Sequence, residues 1–277
     1  MIKVGVDAVH GGRWTSVCDD GHEWLWRHPD PTVQTDRLTA RAGEPFVDAG
    51  GVEECFPTVR GRPDHGAAWT LRWHQLRQQD HEPVGKGRAP RTDRCTLDDV
   101  TLQRTVTESA EQTMIGYRID GPPGLHFVHA VHALLDLSDR ARIVIDGNPP
   151  MQVFDHPVVE QASWPMLDGV DVSYLTPIDQ TAYAMIIDCS AVDVIDGPHR
   201  LHLDWQVADG SAPTSLLYWR NLGGWPQPAP YRSIGIEPMI GSTADPSADG
   251  AGAARLGPEG SLSWRLRLSR DHHPATS

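Results

Sequence analysis

The segment from residue 50 to residue 69, GGVEECFPTVRGRPDHGAAW, concentrates groups that can transfer protons or bind polar ligands. Two adjacent acids, Glu53 and Glu54, precede a cysteine, two arginines and His65. Carboxylates and imidazoles are the usual general bases and acids of enzymes, and guanidinium groups bind polar and anionic ligands. In an extended chain Glu53 and Glu54 point to opposite faces, so at most one of them faces a ligand.

A second group of titratable side chains lies in HFVHAVH, where His126, His129 and His132 are three residues apart. On a helix this spacing would put them on one face and suggest a metal site. The neighbours Phe127 and Val131 favour a strand, in which His129 points away from the other two and His126 and His132 lie ~20 Å apart. We therefore expect a single functional imidazole beside packed ones, and no metal site.

The common catalytic signatures are missing from the sequence. It contains no G-x-S-x-G elbow, no P-loop and no G-x-G-x-x-G, which removes the usual supports for a hydrolase or a nucleotide-binding protein. No motif in the sequence indicates an organic cofactor or a catalytic metal. The ten tryptophans have two readings, as core packing or as rings on which sugars stack.

Composition narrows the class of protein. The chain has 277 residues, 39% of them hydrophobic, and a net charge of -13, which disfavours nucleic acid as a partner. The basic run from residue 86 to residue 94 reads as a solvated loop. The four cysteines are scattered and are expected to be reduced thiols. The mean hydropathy of -0.40, with neither a secretory signal nor a run of ~20 apolar residues, predicts a cytoplasmic protein without a membrane partner.

The elements that must position these side chains are strands. SLSWRLRLS alternates Leu262, Trp264, Leu266 and Leu268 with polar residues, as a half-buried antiparallel strand does. Further strands are predicted in ARIVIDG, TAYAMIIDCS, HRLHLDWQV and QTMIGYRID and from residue 100 to residue 106. Helix is expected to be minor, and residues 241–261 form a long loop before the last strand. The pattern predicts an all-β sandwich or barrel-like fold, as a single domain over residues 1–277.

Six short motifs in order resemble one family: GGRWTSVCDDGHEWLW, GGVEECFPTV, DHGAAW, HAVHALLDL, YWRNLGGWP and GIEPMIG. Together they resemble the aldose 1-epimerase, or galactose mutarotase-like, proteins, over roughly residues 10 to 268. The resemblance implies a supersandwich of antiparallel strands with a carbohydrate cleft. It also implies a cofactor-independent isomerase that interconverts sugar anomers, with a base and an acid on opposite sides of the sugar.

The resemblance also implies roles for individual residues. Glu237 corresponds to the general base, His132 to the general acid, and His65 to the histidine that contacts the sugar and polarises its ring oxygen. The expected substrate-binding residues are Arg60, Arg62, Glu54, Trp69 and Trp225. The family's cleft aspartate has three candidates here, Asp171, Asp179 and Asp204.

Two departures from the family leave the substrate open. The motif DHGAAW is shorter than in the classical mutarotases, and no candidate for the cleft aspartate stands out. The alternatives are a non-catalytic carbohydrate-binding protein on the same fold and a hexose-phosphate epimerase, in which Arg60, Arg62 or Arg72 would converge on a phosphate. The expected partner is a small-molecule sugar, and a homodimer is left open.

Overall fold

Two large antiparallel sheets build the computed structural model, which describes residues 1–76, 89–154, 162–176, 178–247 and 252–270. The larger sheet has twelve strands: β1 (Ile2–Asp7), β2 (Arg13–Asp19), β3 (His22–Glu23), β4 (Gly51–Cys55), β10 (His129–Leu135), β12 (Pro150–Phe154), β13 (Ala162–Ser163), β14 (Met166–Leu167), β15 (Val170–Asp171), β16 (Ala182–Ile187), β19 (Thr214–Trp225) and β20 (Tyr231–Ile240). Along one path their order is β1-β2-β4-β10-β20-β19-β16-β12-β13-β14-β15, and β3 pairs with β2.

The smaller sheet has eight strands: β5 (His74–Leu76), β6 (Arg91–Leu97), β7 (Val100–Glu108), β8 (Gln112–Asp120), β11 (Arg142–Val144), β17 (Ala191–Asp196), β18 (His199–Val207) and β22 (Ser261–Ser269). Its order is β11-β17-β18-β22-β8-β7-β6-β5. A third, two-stranded sheet pairs β9 (His126–Phe127) with β21 (Ala254–Arg255). The prediction of an all-β fold is confirmed.

Helical structure is minor in the described ranges, as expected: one helix, α1 (Pro31–Thr39), and one 3-10 turn (Ala68–Thr70). The carboxylate of Asp30 caps α1 by accepting a hydrogen bond from the backbone N–H of Thr32 at 2.8 Å, and Pro31 occupies the first turn, where its missing N–H costs nothing. No helix in these ranges is long and apolar enough to cross a membrane.

The strand predictions from alternation are confirmed, with one correction. The side chains of Leu262, Trp264, Leu266 and Leu268 are all buried on one face of β22. The basic run was expected to be a loop, but residues 91–94 belong to β6, where alternate side chains pack, and residues 86–88 lie outside the described residues. The long loop before the last strand contains β21, and its residues 248–251 also lie outside them.

Strand β10 separates the main core from the outer face of the larger sheet. Val131 and Leu135 belong to the main hydrophobic core, together with Ile115 and Leu266 of the smaller sheet. His132 and Leu134, which alternate with them, point the other way, away from the smaller sheet, because successive residues of a strand alternate. We call this second side the outer face.

A buried charge cluster joins the two sheets. Glu54 of β4 pairs with the guanidinium of Arg104 of β7, and it also accepts hydrogen bonds from Trp14 Nε1 at 3.2 Å and from Tyr117 Oη at 3.0 Å. Burial alone would raise the pKa of Glu54, but Arg104 and His129 outweigh it, and the net pKa is lowered. The carboxylate is therefore ionised and fully paired inside the core.

His129 completes this cluster in one tautomer. Trp264 Nε1 donates to His129 Nδ1 at 3.1 Å, so Nδ1 is the acceptor nitrogen and the proton lies on Nε2. His129 Nε2 then donates to Glu54 Oε2 at 3.0 Å. The cluster thus connects strands β4 and β10 of the larger sheet to β7, β8 and β22 of the smaller one.

We predict that Glu54→Gln destabilises the fold by about 3–5 kcal/mol, because it leaves the charge of Arg104 buried without a counterion. A folded-state pKa that is lowered contributes stability above the unfolded pKa and loses it as the pH falls, so the difference between variant and wild type should shrink in acid. Urea unfolding at several pH values measures it. The exposed Glu259→Gln serves as the control, and equal stability of Glu54→Gln and wild type at neutral pH would contradict the prediction.

Candidate active site

A cavity of about 480 Å³ opens on the outer face of the larger sheet. Two loops that flank β4 in sequence form one wall, and strands β10, β12, β16, β19 and β20 supply the floor and the opposite side. The volume falls within the range of small-molecule sites. The lining residues are Pro45, Phe46, Asp48, Val59, Arg60, Asp64, His65, His132, Leu134, Phe154, Ala184, Leu217, Trp219, Trp225 and Glu237.

Strand register brings His132 and Glu237 together on the floor. In the antiparallel pair β10–β20, Leu134 lies opposite Gly235 and Ala130 opposite Met239, which sets His132 level with Glu237. The distance from His132 Nε2 to Glu237 Oε1 is 3.6 Å. The two side chains are therefore neighbours on adjacent strands, and the expectation that acid and base lie on opposite sides of the ligand is corrected.

Gly235 provides the space that the Glu237 carboxylate occupies. A Cβ at Gly235 would lie 2.5 Å from Glu237 Oε1 and 2.9 Å from Trp219 Cβ, closer than a carbon normally approaches either atom. No larger residue fits there without moving the carboxylate or the tryptophan. The glycine of the GIEPM motif thus has a packing role two residues before the acid.

Glu237 is an unusual carboxyl group because nothing in the described ranges pairs with it through a hydrogen bond. The side chain is fully buried, and neither of its oxygens accepts a hydrogen bond from a described residue. Burial and the nearby charge of Asp48 raise its pKa well above the ordinary value, and Arg60 opposes them. A carboxyl group of this kind accepts a proton far more readily than an exposed glutamate does.

His132 is neutral in this environment. Burial and the neighbouring His65 lower the pKa of His132 to about 3. The two imidazole rings meet edge to face, with centroids 5.3 Å apart. A neutral imidazole donates through one N–H and accepts through its other nitrogen, so His132 can present a hydrogen-bond donor without carrying a charge.

His65 is held against the wall by contacts on both sides. Its ring stacks on Phe46 with a centroid distance of 3.8 Å, and its Nδ1 lies 3.0 Å from Asp64 Oδ2. The backbone of His65 has φ of 59°, a left-handed conformation that is uncommon outside glycine, and its N–H donates to the carbonyl of Val59 at 2.7 Å. The turn therefore fixes the direction in which the imidazole enters the cavity.

Two aspartates, Asp48 and Asp64, line the cavity, and the sequence reasoning proposed neither as the cleft aspartate. The phenol of Tyr231 donates to Asp48 Oδ2 at 2.6 Å, while burial raises the pKa of Asp48. None of the three candidates Asp171, Asp179 and Asp204 lines the cavity. Asp48 lies in an irregular stretch before β4, where no periodicity shows which side chains turn inward. The only indication of its burial in the sequence is its position between the apolar residues of PFV and the small residues of AGG.

The predicted carbohydrate-binding residues divide into two groups. Arg60 and Trp225 line the cavity, and the Trp225 side chain is 46% exposed at its mouth. Arg62 is exposed and outside the lining. The predicted convergence of Arg60, Arg62 and Arg72 on one phosphate is not found, because Arg60 alone among them lines the cavity.

Glu54 and Trp69 are placed elsewhere, so their predicted contacts with the ligand are wrong. Glu54 points into the core because it alternates with Glu53 along β4, and Val131 opposite it also faces the core. Glu53 lies on the other face, but both of its oxygens are bound by Arg37 at 2.6 Å. Trp69 is buried beneath Phe46 and the guanidinium of Arg37.

The three histidines of HFVHAVH occupy three environments: His129 and His132 lie on opposite faces of β10, as the strand interpretation predicted, whereas His126 belongs to β9 in another sheet. His126 is exposed in β9, His129 is buried in the core cluster, and His132 lines the cavity. Within the described part of the chain, no group of three or more His, Cys, Asp or Glu side chains is arranged to hold a metal ion.

Comparisons with known proteins identify the fold. No protein-family profile and no curated protein matches this sequence. The Slr1438 protein from Synechocystis sp. PCC 6803 is similar in structure with a TM-score of 0.71 at 16% identity, covering 98% of this chain and 92% of that one. A candidate aldose 1-epimerase from Escherichia coli K12 has a TM-score of 0.69 at 13% identity, covering 97% of this chain and 95% of that one.

A galactose mutarotase-like protein from Lactobacillus casei has a TM-score of 0.61 at 14% identity, covering 97% of this chain and 96% of that one. Identities this low establish architecture and leave activity to the residues of the site. The resemblance seen in the sequence motifs is confirmed at the level of the fold: this chain has the all-β fold of the galactose mutarotase-like proteins.

Proposed function

We propose that this protein is an aldose 1-epimerase-like enzyme that interconverts the α and β anomers of a sugar bound in the cavity. The observation that carries the proposal is the buried Glu237 carboxyl group, which accepts no hydrogen bond from the described residues and lies 3.6 Å from His132. Burying such a group is costly, so its presence in a cavity favours a role in proton transfer.

The chemistry requires one proton to leave the anomeric hydroxyl and one to reach the ring oxygen. Glu237 accepts the hydroxyl proton, a carbonyl forms at the anomeric carbon, and the electron pair of its bond to the ring oxygen moves to that oxygen. The ring oxygen receives the Nε2 proton of neutral His132, and Nε2 takes up the proton that Glu237 has accepted, so the imidazole stays neutral. After rotation about the bond beside the carbonyl, the ring closes on the other face and both protons return.

Adjacent placement of Glu237 and His132 suits this reaction. The anomeric hydroxyl and the ring oxygen are bonded to the same carbon, so two groups on adjacent strands can reach both of them. Glu237 Oε1 and His132 Nε2 lie close enough for the proton that Glu237 has accepted to pass to the imidazole of His132. His65, beside His132, is then placed to donate to the same end of the sugar.

The remaining lining suits a pyranose ring. Phe46, Trp219 and Trp225 present aromatic surface along the walls, which packs against the apolar faces of a sugar. Arg60 stands in the lining as a donor to sugar hydroxyls. Glu237 and His132, to which the motif resemblance assigns the roles of base and acid, both line the cavity, and this supports the proposal.

We predict that Glu237→Gln slows anomer exchange at least 100-fold, because the amide cannot accept the proton. The same variant should be more stable than wild type at neutral pH by about 1 kcal/mol, since it removes a buried carboxyl group that lacks a partner. One-dimensional exchange NMR on a panel of free aldoses and thermal unfolding measure the two effects. Glu259→Gln, an exposed site, should change neither. Full activity in Glu237→Gln would contradict the proposed base.

We predict a characteristic dependence on pH. Catalysis needs ionised Glu237, so kcat/KM should fall as the pH drops through the raised pKa of this group, at a higher pH than for an ordinary glutamate. Stability should change in the opposite sense: a group whose folded pKa is raised loses its stabilising contribution as the pH rises through that value. A pH–rate profile beside a pH–stability profile tests this. An acid limb in the range of a free glutamate would refute it.

We predict that Gly235→Ala lowers kcat at least tenfold, because the added methyl group would meet Glu237 Oε1 and displace the carboxylate from His132. Gly116→Ala is the matched control, a strand glycine of β8 where an added Cβ meets nothing within 4 Å. Steady-state exchange kinetics of the two variants measure the difference. Equal activity of both would show that the close contact is unimportant.

A further inference from the structure

We propose that the cavity prefers 6-deoxyhexoses, and that Ala184 forms the recess that receives their C6 methyl group. The inference rests on the proposed function and specifies its substrate class. It is carried by the strand register of the outer face, which divides the described lining of the cavity into a polar side and an apolar side.

The polar side chains of the described lining lie on one side of the cavity. His132 and Glu237 belong to β10 and β20, and the others belong to the two loops that flank β4. A sugar bound with its anomeric carbon at Glu237 therefore finds partners for its hydroxyl groups toward these loops. The loop residues are Asp48, Arg60, Asp64 and His65.

The opposite side, which β12, β16 and β19 build, is apolar. The indole N–H of Trp219 is already used there, because it donates to Ser233 Oγ at 3.0 Å, and Trp225 is 46% exposed at the mouth. A sugar hydroxyl directed at this part of the floor would lose its hydrogen bonds to water and gain none from the described side chains. The lining residues of this side are Phe154, Ala184, Leu217, Trp219 and Trp225.

Strand register places a row of residues across the floor. Phe154 pairs with Ala184, and Ala184 pairs with Trp219. Trp219 in turn pairs with Gly235, whose missing side chain leaves the space for the Glu237 carboxylate. Neighbouring strands are ~4.8 Å apart, which is close to the width of a pyranose ring. When the anomeric hydroxyl of a sugar lies at Glu237, the far end of its ring can therefore lie over β19 and β16.

Ala184 is a small side chain between two large ones. Trp219 and Phe154 lie beside it on the neighbouring strands, and the cavity extends to all three. The recess over Ala184 is therefore bounded by carbon atoms. C6 is the only carbon of a hexopyranose outside the ring, and in a 6-deoxyhexose it is a methyl group, which such a recess stabilises by removing it from water. In the parent hexose the same carbon carries a hydroxyl that would be buried without a partner.

The first test measures the binding of matched sugars to the Glu237→Gln protein by isothermal titration. The pairs are D-quinovose with D-glucose, D-fucose with D-galactose, L-fucose with L-galactose, and L-rhamnose with L-mannose. We expect at least one 6-deoxyhexose to bind about tenfold more tightly than the hexose of the same configuration, because no hydroxyl is buried without a partner. The matching pentose, which lacks C6, should also bind more weakly than the 6-deoxyhexose.

Equal or tighter binding of the hexose in every pair, or binding of neither sugar in any pair, would overturn the inference. Anomer exchange by wild type, followed by NMR on the same sugars, separates this failure from failure of the proposed function. Exchange without any preference for 6-deoxyhexoses would overturn only the inference. Preferential binding of 6-deoxyhexoses without exchange would overturn the proposed function and leave the selectivity standing.

The second test changes Ala184 itself. Ala184→Ser places a hydroxyl in the recess and should reduce the preference for the 6-deoxyhexose about fivefold, mainly by improving the binding of the parent hexose. Ala184→Val fills the recess and should weaken binding of the 6-deoxyhexose about tenfold, while the pentose binds as before and shows that the site is folded. Ala182→Ser, two residues earlier on the same face of β16 and outside the lining, is the control. An unchanged preference in both Ala184 variants would refute the role of this residue.

Discussion

The salt bridge between Glu54 and Arg104 fixes the larger sheet to the smaller one, and the geometry of the cavity depends on it. Glu54 is one residue from Glu53 and six from Arg60, which lies in the irregular stretch that also carries His65. Strand β4, which carries Glu54, pairs with β10, which carries His132. Because a shift of one residue in either strand would turn its side chains to the other face, a paired charge in the core also fixes which residues reach the outer face.

Two glutamates on opposite faces of this sheet show how environment decides the use of one residue type. Glu54 has a guanidinium, an imidazole, an indole and a phenol as partners, and its net pKa is lowered. Glu237 is equally buried but accepts no hydrogen bond from the described residues, and its pKa is raised well above the ordinary value. The first group stabilises the fold as a carboxylate, and the second is suited to exchange a proton.

The walls of the cavity depend on loops that regular structure supports. Phe46 stacks on His65 and contacts Trp69, and Trp69 in turn packs on Arg37 of the only α-helix in the described ranges. Arg37 also binds Glu53 beside the floor strand. The short helix thus has a structural role: it carries Arg37, which binds the Glu53 carboxylate and packs on Trp69 beneath the cavity wall.

The sequence by itself determined the class of fold and indicated Glu237 and His132 as candidate residues of the site. Strand alternation is a local property with a period of two, so Leu262, Trp264, Leu266 and Leu268 could be assigned to one face without a structure. The same alternation showed that Glu53 and Glu54 diverge and that His129 and His132 do likewise. The motifs around Glu237, His132 and His65 directed attention to three residues that the fold brings to one cavity.

Only the tertiary structure decided which face of each strand meets the core and which loop residues turn inward. Alternation alone cannot distinguish the face of β4 that meets the core from the face that meets the cavity. The sequence therefore predicted that Glu54 contacts the ligand, whereas its side chain pairs with Arg104 on a strand of the smaller sheet. Asp48 carries no local signal, because its position in the cavity depends on Tyr231, far along the chain. The 3.6 Å contact of His132 and Glu237 likewise depends on the register of β10 against β20, a long-range pairing that no short segment of sequence encodes.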